Sequence, residues 1–141
     1  MSQECCTENK EIMILACSGA SSVGQLSNQA AVELTHEGFG KMLCLAAVGA
    51  HLGSFVQAAR KAKSMVAIDG CPLCCAKRLL EHAEVPLGAH VVLYDLGIEK
   101  TMDTVSVRDE VEKVKAAIKE ACNGHVRPVA VHGGPSPSCC G

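Results

Sequence analysis

The sequence predicts a small three-layer α/β/α fold with a mostly parallel four-stranded sheet, and three observations lead there. Four short apolar runs recur along the chain, as strands buried on both faces require. Each is followed by small or turn-forming residues and then by a stretch with helical apolar spacing. The length, 141 residues, suits one domain built from such strand–helix units.

Glu11–Cys17 is the first apolar run, broken by Ser18 to Ser22. Ser22 and Gln25 form a capping-box pattern, and Val23, Leu26, Ala30 and Leu34 then recur at helical spacing up to Gly38. Lys41–Cys44 opens a second strand, punctuated by Gly49 and Gly53. Leu52, Phe55, Val56 and Ala59 mark a second helix, whose basic end at Arg60, Lys61 and Lys63 suits a helix C-terminus. Ser64–Asp69 is a third strand stopped by Gly70. Pro72 fits the first turn of a helix that turns Leu73, Ala76, Leu79, Leu80 and Ala83 one way. His90–Tyr94 is the fourth strand. Ser106 and Asp109 cap a last helix striped by Val107, Val111, Val114, Ile118 and Ala121.

Three regions follow: a flexible arm at 1–10, the α/β domain at 11–122, and a flexible tail of Cys, His and Pro at 123–141. Right-handed crossovers and a flavodoxin- or Rossmann-like strand order are the natural arrangement for such units.

Composition excludes several functions. Net charge is −2 and no basic stripe exists, so no nucleic-acid partner is expected. No apolar run approaches the roughly twenty residues of a membrane span. The N-terminus lacks the apolar segment of a signal peptide, which makes a cytoplasmic, thiol-reducing location the expectation. Two Phe, one Tyr and no Trp leave little for aromatic-lined pockets. Ten cysteines remain. In a reducing compartment they point to a metal or to catalysis before they point to disulfides.

Their spacing follows the architecture. Cys17, Cys44 and Cys71 are 27 residues apart, and each falls at or near the carboxyl end of a predicted strand. In open α/β sheets those ends share one rim, where ligands bind. Cys75 follows Cys71 at i+4, which in a helical first turn puts both on one face. Four converging thiolates are the ligand set of a closed tetrahedral zinc site. Helix N-termini, with Lys77 and Arg78 nearby, would offset their charge. Asp69 and Gly70 shape the turn that presents Cys71, and Asp69 is placed to hold backbone amides there.

Cys17-Ser-Gly-Ala-Ser-Ser-Val-Gly, Met42-Leu-Cys-Leu-Ala, Ala67-Ile-Asp-Gly-Cys-Pro-Leu-Cys-Cys-Ala-Lys and Val92-Leu-Tyr-Asp-Leu-Gly-Ile together resemble the DGC-domain family over about residues 11–122. Asp69-Gly70-Cys71 corresponds to the triplet that names it. The resemblance implies zinc binding by four cysteines that map to Cys17, Cys44, Cys71 and Cys75. It leaves the choice between Cys75 and its neighbour Cys74 open, and it implies no reaction.

Two other chemistries use the same residues. Cys71-Pro-Leu-Cys74 is a CxxC at a strand-to-helix junction, suited to disulfide exchange or persulfide transfer. An iron–sulfur cluster takes the same four thiolates. The pairs Cys5-Cys6 and Cys139-Cys140 lie in the arm and tail, where thiolates would select soft ions. Gly19-Ala-Ser-Ser-Val-Gly24 lacks the Lys-Ser/Thr of a P-loop. No Arg follows Cys17 to clamp a phosphate. His51 lies in the rim loop after Cys44, and His36, His82 and His90 flank elements and are expected to face solvent.

Overall fold

The computed structural model describes residues 12–104 and 109–123. It contains β1 (Ile12–Ala16), α1 (Ser22–His36), β2 (Lys41–Met42), α2 (Leu45–Gly49), α3 (Gly53–Lys61), β3 (Ser64–Asp69), α4 (Cys75–His82), β4 (Ala89–Val92), a 3-10 turn (Leu93–Leu96) and α5 (Val111–Cys122). The four strands form one sheet in the order β2-β1-β3-β4, with every pairing parallel. That is the flavodoxin-like order expected from the strand–helix alternation.

Side-chain alternation along the strands divides the core into two. Ile12, Ile14 and Ala16 of β1, with Val66 and Ile68 of β3, pack on Val23, Leu26, Ala30 and Leu34 of α1 and on Val114 and Ile118 of α5. Leu15 and Cys17 face the other way, with Met65 and Ala67, against Val48 of α2, Val56 and Ala59 of α3, and Ala76 and Leu80 of α4. Apolar burial on both faces explains why β1 and β3 carry almost no polar residue. Among the described residues no helix is long and apolar enough to cross a membrane.

The structure corrects several element boundaries. Ser21, not Ser22, caps α1, its Oγ accepting from Gly24 N at 3.3 Å. Ser22 is buried, and its hydroxyl accepts from Thr101 N at 2.9 Å, which ties the loop after the 3-10 turn to the start of α1. A helix of five residues, α2, follows β2; it is too short to show a helical period in the sequence. The helix expected to start at Pro72 begins at Cys75, so Leu73 is left 45% exposed in the preceding turn. β4 ends at Val92, where the chain turns into the 3-10 segment and exposes Tyr94 while burying Leu93. Ser106 and Val107, the arm at 1–10 and the tail from 124 lie outside the described residues.

A charged clasp joins α5 to α1. Lys115 is buried, and its ammonium pairs with Glu33 at 2.9 Å, with Glu112 at 2.7 Å and with Glu37. The hydrogen bonds that the ammonium donates to Glu112, Glu37 and Glu33 hold it well above its ordinary pKa. Glu33, bonded first by Gln29 and then by Lys115, titrates below its ordinary 4.5. Glu37, bonded by Lys115 and Lys119, does likewise. The clasp is therefore complete above that ordinary value and is lost as pH falls through the depressed folded-state values. Lys115→Met is expected to lower the urea unfolding midpoint at neutral pH, with the gap to wild type narrowing below about pH 4. Circular dichroism across the pH series checks this; an unchanged gap at acid pH would contradict the electrostatic account.

Candidate metal centre

Because β2, β1 and β3 are adjacent and parallel, their carboxyl ends share one edge. Cys17 follows β1 directly, and its N–H donates to Ile68 O of β3 at 2.8 Å, so the pairing continues past the strand end. Leu43 does the same after β2, donating to Ile14 O at 2.9 Å, and Cys44 comes next as the residue preceding α2. Cys71 lies two residues beyond β3, and Cys75 opens α4.

The Asp69-Gly70-Cys71 triplet is where these pieces lock together. Asp69 ends β3 and is 1% exposed. One carboxylate oxygen accepts from Ala76 N at 2.7 Å and the other from Lys77 N at 3.1 Å, so Asp69 caps α4 from the neighbouring strand. Its Oδ2 also lies 2.8 Å from His90 Nε2 on β4. The amides it holds are those of α4, and not those of the turn around Cys71. Gly70 passes so close to α1 that a Cβ there would stand 2.7 Å from the carbonyl carbon of Val23. Gly70 N also donates to Cys17 Sγ at 3.1 Å, just past the end of the paired strand β1.

Cys71 leaves the sheet toward the α1 side and packs on that core cluster, with Lys100 Nζ 3.8 Å from its Sγ. A tight turn follows, Cys74 N donating to Cys71 O at 3.0 Å. Cys74 precedes α4 with φ +51°, a left-handed backbone on a residue with a side chain, and makes no capping bond of its own. Cys71 and Cys75 are thus related by this turn and do not lie on one helical face.

Burial raises the pKa of Cys17, opposed by the Ser27 hydroxyl and the Gly70 amide and reinforced by the negative charges of Asp69 and Cys75. Burial also raises Cys74, with Asp69 and Cys71 adding to it and Lys77 and Arg78 opposing. Both therefore stay as thiols at neutral pH. Cys122 on α5 is raised by burial alone.

Of the predicted ligands, Cys17 is buried, Cys71 is half-buried and Cys44 and Cys75 are exposed; Cys74 is half-buried. Cys17 directly follows β1, Cys44 and Cys71 each lie two residues past β2 and β3, and Cys75 opens α4; Cys17 packs in the core on the α2–α4 side and Cys71 against the core on the α1 side. The His, Cys and carboxylate atoms that converge to within 4.8 Å of one another belong to Asp69, Cys74 and His90, a group able to hold a metal ion. His90 was expected to face solvent. It instead occupies the face of β4 opposite Ala89 and Val91, beside Ala67 of β3. Its alternation with those two apolar residues placed it on that face, but only the strand register placed it beside Asp69. His51 and His82 are exposed, and they meet each other.

The DGC domain family model matches residues 13–118. Over 88 residues, 62% of this chain and 67% of the other, the sequence is 39% identical to the anaerobic and virulence modulator AnvM of Pseudomonas aeruginosa. No solved structure matches the chain significantly. With three quarters of its length under the family model, and with the Asp69-Gly70-Cys71 triplet at the junction of β3, α4 and α1, the chain belongs to the DGC domain family.

Proposed function

We propose that this protein binds one metal ion, zinc, through the thiolates of Cys17, Cys44, Cys71 and Cys75, and uses the centre in metal or sulfur handling or in sensing. The observation that carries this reading is the order β2-β1-β3: three adjacent parallel strands each lead into a cysteine on one rim, and α4 opens with a fourth. The donor chemistry fits. Four thiolates around Zn²⁺ leave a formal charge of −2, and the Gly70 amide on Cys17 and the Lys100 ammonium beside Cys71 are aimed at that charge. A closed four-sulfur site has no open position for water, which suits sensing or structure better than hydrolysis. A sensing role is in keeping with a relative named as a modulator. A reducing cytoplasm would keep the thiols free.

A second reading places the ion between Asp69, Cys74 and His90, whose ligand atoms already converge. The two are separated by anaerobic purification of the full chain followed by metal and acid-labile sulfide analysis. About one zinc per chain is expected, lost in Cys17→Ser, Cys44→Ser, Cys71→Ser and Cys75→Ser and retained in Cys122→Ser. Loss in Cys74→Ser and His90→Gln with retention in Cys44→Ser would move the ion to the Asp69 group. Iron with sulfide would indicate a cluster. A metal-free chain cycling between a Cys71–Cys74 disulfide and dithiol would make this a redox protein.

Two further outcomes follow from the geometry. Because burial holds Cys17 above its ordinary pKa, zinc binding must expel its proton, and apparent affinity should rise with pH by about tenfold per unit for each thiol proton released. Competition with a chromophoric chelator between pH 6 and 8 measures this slope, and a flat profile would exclude Cys17. Asp69→Ala should destabilise the fold by about 1–2 kcal/mol through the lost cap, measured by urea unfolding of the metal-free chain. Equal stability would mean that α4 needs no anchor on β3.

A further inference from the structure

We propose a second cation site, formed by His51 and His82, for a divalent transition metal that prefers imidazole, such as Zn²⁺, Ni²⁺ or Cu²⁺. His51 Nε2 stands 3.0 Å from His82 Nδ1, with the ring centroids 5.0 Å apart and the planes at 68°. Both residues are exposed. Two imidazole nitrogens bound side by side to one ion at about 2.0–2.1 Å lie about 3 Å apart, so the observed pair already has ligand spacing and needs only a turn of the rings to aim both lone pairs at one point.

The fold builds this pair deliberately from distant segments. His51 is held in the left-handed region at φ +56° in the turn after α2, its own N–H donating to Val48 O at 3.0 Å. His82 is the last residue of α4. The two helices approach closely at Gly49, where a Cβ would stand 2.8 Å from Leu79 Cδ2. Their C-terminal ends therefore lie together, and the carbonyls of α4 there favour positive charge. The Arg60 guanidinium already donates to Ala83 O at 2.8 Å, the C-cap of α4.

Proton accounting is simple for neutral rings. One bridging nitrogen carries the shared proton and the other accepts it. On binding, the donor ring changes tautomer and carries its proton on the distal nitrogen, so both bridging lone pairs reach the metal with no net proton release. His82 is seven residues beyond Cys75 along α4, about 10 Å at 1.5 Å per residue, so the pair is separate from the thiol rim. An ion there would staple the turn after α2 to the end of α4, joining the helix that follows Cys44 to the helix that begins with Cys75.

The test follows the ring nitrogens by NMR in the full chain with ¹⁵N-labelled histidine, titrated with Zn²⁺ until the rim has taken what it binds and beyond. His51 and His82 are expected to shift together and saturate at one shared concentration. His51→Gln and His82→Gln should each weaken the remaining ring's response by about 10–100-fold or more, while His36→Gln changes nothing. Far-UV circular dichroism verifies that each variant is folded. Independent saturation of the two rings, no response in a large excess of zinc, or an unchanged His51 response in His82→Gln would each overturn the proposal. The readout is specific to these rings, so it stands or falls separately from the thiol centre.

Discussion

The geometry of the rim depends on one buried carboxylate. Asp69 ends β3, one of the two inner strands, and holds the amides of Ala76 and Lys77 at the start of α4, while its second oxygen also meets His90. A buried carboxylate without partners is costly, and a helix start without a cap is weak. Joining the two solves both problems and fixes the direction of α4 relative to the sheet. Everything that α4 carries, including Cys75 at its start and His82 at its end, is positioned through that joint.

Gly70 adds the second constraint. Its lack of a side chain lets the end of β3 pack against α1, and its amide donates to the Cys17 sulfur. One residue thus sets a packing distance and an electrostatic contact together. The amide opposes the burial that raises Cys17, and Lys77 and Arg78 act similarly on Cys74. Burial nevertheless prevails over these groups, and both thiols titrate above their ordinary value.

Much of this was legible in the sequence for a physical reason: β1 and β3 are buried on both faces, so their apolar runs are continuous and their ends are sharp. The equal spacing of Cys17, Cys44 and Cys71 reports the length of the repeating unit, and the parallel sheet sets the carboxyl ends of β2, β1 and β3 along one edge. Features that depend on register or on strain were not legible. His90 meets Asp69 only because Ala67 pairs with it, and no local pattern encodes a pairing between distant strands. The start of α4 was misplaced because Pro72 is compatible with a first helical turn, while the left-handed backbone at Cys74 delays the helix to Cys75. The pairing of His51 with His82 likewise needs the packing of Gly49 on Leu79, a contact between segments with no shared periodicity.

The backbone at Cys74 sets a conformational cost against the chemistry of its side chain. A left-handed conformation costs a residue with a side chain about 1–2 kcal/mol, and glycine adopts it freely. Cys74 makes no capping bond, yet its sulfur lies with the Asp69 and His90 ligand atoms. The thiol is thus held beside those two groups against the conformational preference of its own residue, and glycine at position 74 would relieve the backbone while removing the sulfur.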